Sequence, residues 1–183
     1  MRAWGSALIV GGLAAGILTG SAASAVGTAE PVADGELPFV AKVTFGEERD
    51  QRSCTGVLVD SRWVATNKSC FTDGSGPVAA GTPARPATVL VGRTDLTKVT
   101  GYRVAVQSLI PHPDRNVVLA ELSAAVEGVA PVKLGAAAEV GETLRIAGYG
   151  RTATEWVPDR LHASSFTVQS ADASSFDVTG AAP

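Results

Sequence analysis

Two neighbouring stretches decide the fold of this chain: SCTGVLV at residues 53–59 and WVATNKSC at residues 63–70. Both are rich in Val and Thr, whose β-branched side chains favour strands over helices. Polar residues at 60–62 separate them and are typical of a turn. The two stretches therefore predict two short strands, and each carries one of the chain's two cysteines, Cys54 and Cys70.

Short apolar runs of the same kind, with turn residues between them, extend in both directions from this pair. They cover residues 39–45, 56–59, 63–66, 88–91, 103–110, 117–122, 144–147 and 166–168. Such spacing predicts an all-β, antiparallel barrel or sandwich. The Ala-rich stretch 120–129 is interpreted as a strand end plus a linker, because Gly128 and Pro131 disfavour a helix there. Residues 72–86 are expected to form a surface loop, and the tail at 171–183 is too small and polar to bury much.

The amino terminus has the pattern of a secretory signal peptide. Arg2 precedes an apolar stretch at residues 7–18, and the small residues at 21–25 predict a cleavage site after Ala25. A membrane anchor is the alternative, but spanning a bilayer takes about 20 apolar residues with fewer Gly and Ser. We therefore expect residues 1–25 to be removed and the protein to be secreted and extracellular, with no membrane association after cleavage.

Charge and length limit the classes of partner and architecture. Removal of residues 1–25 takes away one arginine and no acid, so 158 residues with 14 basic and 18 acidic side chains remain, a net charge of about -4. No basic patch indicates nucleic acid as a partner. The remaining length suits one core or most of a two-barrel protein.

The two cysteines are candidates for a disulfide, because exported proteins meet an oxidising compartment. A zinc site would need more ligands than His112 and His162, both far along the chain, can add. No metal and no cofactor is therefore predicted.

Three motifs, taken in order, resemble the trypsin and chymotrypsin family, peptidase S1. The stretches at 53–59 and 63–70 are similar to the family's C-(G/T)-G-x-L-(I/V) strand and W-V-L-T-A-A-H-C motif. PHP at 111–113 followed by NVVLAEL at 116–122 resembles its H-P segment and D-I-A-L-L strand, and GYGRT at 148–152 resembles its G-W-G-x-T hairpin. VG at 26–27 and DGELPF at 34–39 stand where the family has its mature terminus and a G-x-x-P segment.

The resemblance implies a fold of two six-stranded antiparallel barrels. By that comparison residues 26–123 form the first barrel, 124–135 a linker and 136–183 only part of a second barrel. It also implies a disulfide between Cys54 and Cys70. The strands of an incomplete second barrel would leave open backbone edges, an aggregation hazard unless a partner covers them.

The same resemblance allows each catalytic role to be examined. The family's mechanism needs a serine nucleophile, a histidine base and an aspartate that orients the histidine. The histidine position is occupied by Ser69 and the aspartate position by Asn116, and the G-D-S-G-G-P motif that carries the serine does not occur in the 183 residues. No catalytic residue is therefore predicted to be intact, and we expect no proteolysis.

Other residues are poor substitutes for the missing groups. Asp114 would lie about 6 to 7 Å from the Asn116 position if the strand reached back that far. His112, between two prolines, is interpreted as a surface residue, and His162 is expected to be exposed. Ser69 has no adjacent base in the sequence, so its hydroxyl would be a weak nucleophile. The N-x-S pattern at 67–69 matches a glycosylation site, but the pattern is short and we attach no function to it.

The leading hypothesis is a secreted, proteolytically inactive serine protease homologue. One alternative is a serine endopeptidase whose sequence continues beyond Pro183. Another is a secreted binding module built on the protease barrel, with an unknown protein or cell-surface ligand as partner. Trp156 or Tyr149 would then be the anchors, although packing within a hairpin is the simpler interpretation of both.

Overall fold

A computed structural model describes residues 29–47, 50–74 and 76–180. The predicted signal peptide, residues 1–25, and the expected mature terminus at 26–27 lie outside the described residues. Within them the fold is antiparallel β-structure with one short 3₁₀ helix, Lys68–Phe71. The strands are β1 Glu30–Pro31, β2 Val40–Phe45, β3 Arg52–Asp60, β4 Trp63–Thr66, β5 Ala87–Val91, β6 Tyr102–Pro111, β7 Val118–Leu122, β8 Thr143–Gly148, β9 His162–Ala171 and β10 Phe176–Gly180.

Strands β2 to β7 form a closed barrel in the order β2-β3-β4-β7-β6-β5. Alternate residues of each strand point inward, as the period of two along a strand requires, and they fill the barrel with aliphatic side chains and Phe45. Leu58, Val64, Val89 and Val118 are completely buried there. Since Val and Leu make up most of this core, a chain with only 5% aromatic residues still fills a barrel.

The remaining strands form a second sheet around β9. Strand β8 pairs with residues 162–167 of β9, while β10 pairs with residues 166–171 and β1 with residues 162–163. The segment that precedes the barrel in sequence therefore contributes a strand to the second sheet. Val32, just after β1, is buried, and its backbone N–H donates to the carbonyl of Leu161 at 2.8 Å.

The barrel and the second sheet meet through a small apolar cluster and a polar network. Val32, Tyr149 and Leu161 are buried together in the cluster. Beside it, the guanidinium of Arg160 donates to Asp34 at 2.7 Å and to Asp95 at 3.2 Å. These contacts hold the second sheet against the turn that follows β5.

The predicted strands are confirmed, and residues 123–129 contain no helix, as expected from Gly128 and Pro131. Strands β1 and β10 were not predicted. Strand β10 forms although its side chains remain largely exposed, because its backbone pairs with β9. In the part of the chain described here, no helix has the length and apolar character to cross a membrane.

Candidate functional site

The disulfide between Cys54 and Cys70 is confirmed. The two Cα atoms lie 6.1 Å apart, and Cys70 is buried in the barrel core. The bond fixes the 3₁₀ helix Lys68–Phe71 against strand β3. Ser69, the residue before Cys70, is thereby held at a fixed place on the barrel rim.

Ser69 and Asn116, the two residues predicted at the positions of the triad histidine and aspartate, lie side by side. Strand β4 ends at Thr66, which pairs with Val118 at the start of β7. The segments that follow β4 and precede β7 are therefore neighbours. The backbone N–H of Ser69 donates to Oδ1 of Asn116 at 3.0 Å, and Nδ2 of Asn116 lies 3.5 Å from Oγ of Ser69.

The chemistry of this pair differs from that of a histidine and a carboxylate. Neither a hydroxyl nor an amide accepts a proton near neutral pH, so neither can act as a general base. The Asn116 group that faces the Ser69 hydroxyl is an N–H donor, which cannot remove its proton. Ser69 consequently lacks activation from Asn116, its partner in this contact.

The loop at residues 112–117 is organised by the ring of His112. Its Nδ1 accepts the backbone N–H groups of Asp114 and Arg115, each at 3.1 Å. Asp114 is exposed in this loop and does not share a strand with Asn116, since β6 ends at Pro111 and β7 begins at Val118. The condition for placing Asp114 by strand spacing, that the strand reaches back to it, is therefore not met.

His162 does not line the cavity beside Ser69 and Asn116 but begins strand β9 of the second sheet. Its expected exposure was wrong. The ring is half-buried, and Nδ1 lies 3.0 Å from the carbonyl oxygen of Arg160. The error arose because the pairing of β9 with both β1 and β8 covers a residue that looked like part of a polar turn.

A cavity of about 380 Å³ opens beside the Ser69–Asn116 pair. Its apolar wall consists of three prolines and Val78, and its polar groups belong to Lys68, Ser69, Thr72, His112 and Asn116. The ammonium of Lys68 donates to the carbonyl oxygen of His112 at 2.7 Å. Sequence reasoning missed Lys68 and Thr72. The only signal for them was their closeness in sequence to Ser69.

The two aromatic residues considered as binding anchors have different environments. Tyr149 is only 6% exposed and packs in the cluster between the barrel and the second sheet. Trp156 is 73% exposed, and the guanidinium carbon of Arg151 lies 4.3 Å from its ring centroid. Packing therefore accounts for Tyr149 but not for Trp156.

Among residues 29–47, 50–74 and 76–180, no three His, Cys, Asp or Glu side chains are grouped so that they could hold a metal ion.

Comparison with known proteins places this geometry in context. The trypsin family model matches residues 25–180. The solved structure of GrC is 23% identical, with a TM-score of 0.66. That of neuropsin, a serine protease expressed in the limbic system of mouse brain, is 22% identical with a TM-score of 0.64. Each likeness shows the fold, covers 79% of this chain and extends over 66% of the other chain, just under two thirds of its length. No curated protein matches the chain significantly.

Proposed function

The chain belongs to the trypsin family, and we propose that it is a secreted, proteolytically inactive member of that family. One observation carries the proposal: Ser69 and Asn116 occupy neighbouring positions on the barrel rim and bond to each other. The family's chemistry requires an imidazole and a carboxylate there. An imidazole accepts the proton of the nucleophile, and neither a hydroxyl nor an amide can replace it near neutral pH.

Loss of the base is enough for inactivity, because the members of a triad act as a unit. Once one member is removed, the others contribute little to the rate. The proposal therefore depends on Ser69 and Asn116 and not on the length of the chain.

Secretion is the second part of the proposal. It is supported by the signal-like sequence at residues 1–25 and by the disulfide between Cys54 and Cys70, a bond that persists in oxidising compartments. Export from an expressing cell tests it directly. The protein recovered from the medium should begin at Val26, whereas an unprocessed chain retained in the cells would contradict secretion.

Activity is tested on the purified full chain with a fluorophosphonate probe and with casein. We expect no covalent adduct by intact-mass spectrometry and no cleavage above buffer, with trypsin as the positive control in the same assay. An adduct that disappears in Ser69→Ala would show that this hydroxyl is an activated nucleophile. An adduct that survives in Ser69→Ala would reveal a different working serine. Either result contradicts the proposed inactivity.

A second candidate function, an interaction module, is favoured by the exposure of Trp156. A large aromatic ring that is 73% exposed and stacked by Arg151 resembles the anchors found at protein interfaces. The test is capture of partners by the exported chain and by Trp156→Ala. Selective loss of one partner in the variant supports a module centred on this ring, and equal capture of every partner contradicts it.

A further inference from the structure

We propose that the cavity beside Ser69 and Asn116 is a binding site for small oxyanions, the carboxylate or phosphate group of a ligand. The inference does not depend on the inactivity proposed above, because it concerns binding and is tested without any measurement of cleavage. Each polar side chain that lines the cavity has at least one group that can donate a hydrogen bond.

Lys68 supplies the positive charge. One of its three N–H groups is used by the carbonyl oxygen of His112 at 2.7 Å, which fixes the ammonium at the cavity wall. The ammonium has two further N–H groups that can donate to a ligand. An anchored ammonium loses less conformational freedom on binding than a free lysine side chain does.

His112 supplies a second donor through its tautomer. Because Nδ1 accepts two backbone N–H groups, the proton of the neutral ring must be on Nε2. Any hydrogen bond that Nε2 makes to a ligand in this form is therefore one that it donates. An oxyanion can accept from it, whereas a cation cannot be bound by it.

The hydroxyls of Ser69 and Thr72 complete the polar groups together with the Asn116 amide. Hydroxyls can donate to an anionic oxygen while they accept from a neighbour. The described residues that line the cavity include no carboxylate. A site with one ammonium and no carboxylate among these residues favours an anion over a cation.

A neighbouring arginine adds to the positive potential. The guanidinium of Arg52 donates to the carbonyl oxygen of Thr72 at 2.7 Å, so a second cation lies next to this lining residue of the cavity. The three prolines and Val78 form an apolar wall opposite these donors, on a side that is open to solvent. A volume of about 380 Å³ falls at the small end of the range for ligand cavities.

The test is a titration of the exported, isotopically labelled chain with sodium acetate and with sodium phosphate, followed through backbone amide chemical shifts. Sodium chloride at the same ionic strength is the reference. We expect saturable shifts at Ser69, Thr72 and His112 with at least one of the two oxyanions. Saturation with acetate alone assigns a carboxylate ligand, and saturation with phosphate alone assigns a phosphate-bearing one. Shifts that follow ionic strength equally in chloride overturn the proposal.

Two variants and one control make the test specific. Lys68→Gln should weaken binding about tenfold, the effect of losing one hydrogen bond to a charged group. Lys133→Gln makes the same charge change at an exposed position outside the cavity and should leave binding unchanged. If Lys68→Gln does not fold, Thr72→Val, which removes only a hydroxyl, decides the matter. Equal affinities in the wild type and in the folded cavity variants overturn the proposal.

Discussion

The phenolic O–H of Tyr149 donates a hydrogen bond to the backbone carbonyl oxygen of Arg93, with the two oxygens 2.6 Å apart, across the boundary between the second sheet and the barrel. On the other side of the same residue, the backbone N–H of Tyr149 donates to Oγ1 of Thr55 at 3.0 Å. Tyr149 is 6% exposed. One residue therefore joins the end of β8 to two separate segments of the barrel.

Tyr149→Phe tests this connection. Burial raises the pKa of the Tyr149 hydroxyl to about 12, although the charge of Arg93 acts in the opposite direction. The unfolded chain titrates near its ordinary value of about 10, so folding favours the neutral phenol. The stability that this preference contributes is fully present below about pH 10 and is lost as the pH rises from about 10 towards 12. We expect the variant to lose about 1 kcal/mol at neutral pH through the missing hydrogen bond, and to show a shallower alkaline decline.

Urea unfolding at about pH 8 and at about pH 11 measures both effects. Tyr102→Phe, which removes the chain's other tyrosine hydroxyl, is the control and should keep the alkaline decline that Tyr149 causes. Parallel stability curves for the wild type and Tyr149→Phe would contradict the assignment.

Most of the barrel could be predicted because its signals are local. The run at residues 63–66 coincides with β4, and the family motifs that surround it placed Ser69 and Asn116 at two positions that the fold brings into contact. Strands that pair through short turns carry their period and their turn residues in the sequence itself.

The elements that escaped prediction depend on distant pairing. Glu30 pairs with Ala163, and a two-residue strand has no local pattern from which so distant a partner could be predicted. The cavity escaped for the same reason, because its two walls come from residues near 68–78 and near 111–116. Nothing in the sequence around Lys68 indicated a role for it, because the His112 carbonyl that its ammonium contacts is 44 residues further along the chain.

Loss of the disulfide should destabilise the protein strongly. Cys54 and Cys70 are separated by 16 residues in the sequence. Closing a loop of that size is worth about 3 kcal/mol on the chain-entropy model. We expect the Cys54→Ser, Cys70→Ser double variant to show that loss in urea unfolding. Thiol titration of the unfolded, unreduced wild type should detect no free cysteine, and two titratable thiols would contradict the bond.

The hairpin between β9 and β10 should depend on the ionised form of Asp172. Hydrogen bonds from the backbone N–H groups of Ser174 and Ser175, at 2.6 and 2.7 Å, and from their hydroxyls lower its pKa to about 2. A lowered pKa means that the contribution to stability is present above the unfolded value of about 4 and is lost as the pH falls through about 2. Asp172→Ala should therefore speed amide hydrogen exchange in the turn at Ser174 and Ser175 at neutral pH.

Asp177→Ala in the same hairpin is the comparison for Asp172→Ala. Its carboxylate accepts the Ser170 hydroxyl at 2.7 Å but lies outside the turn that Asp172 organises. Asp177→Ala should therefore change amide exchange at the turn much less than Asp172→Ala does. Equal protection of the turn amides in the wild type and in Asp172→Ala would show that the carboxylate does not order the hairpin.

The hydrogen bond between Ser69 and Asn116 should survive a negative charge at position 116, because it needs only an acceptor oxygen there. Asn116→Asp keeps an oxygen that can accept the Ser69 N–H, whereas Asn116→Ala removes it. Since both residues are exposed, we expect Asn116→Ala to cost no more than about 1 kcal/mol in overall stability. Amide exchange at Ser69 should accelerate in Asn116→Ala and stay slow in Asn116→Asp. Acceleration in both variants would mean that the amide nitrogen, and not Oδ1, holds the pair together.

A side chain added at Gly56, in the stretch that decides the fold, should destabilise the barrel. A Cβ atom added there would lie 2.8 Å from Cγ1 of Val64, 3.0 Å from Cγ2 of Val43 and 3.1 Å from the carbonyl oxygen of Ala65. All three neighbours belong to the barrel wall, so relief requires movement of packed strands. Forcing a methyl group into such a core costs about 1 to 3 kcal/mol, and we expect Gly56→Ala to lose that much stability in urea unfolding.

A matched control and a double variant isolate the cause. At Gly135 an added Cβ would meet nothing within 4 Å, so Gly135→Ala should change stability by less than about 0.5 kcal/mol. Val64→Ala removes the atom that the new methyl group would strike. The Gly56→Ala, Val64→Ala double variant should therefore be more stable than the sum of the two single losses predicts, because the added methyl group occupies space that the smaller side chain vacates. Strict additivity would mean that the contact with Val64 is not what destabilises Gly56→Ala.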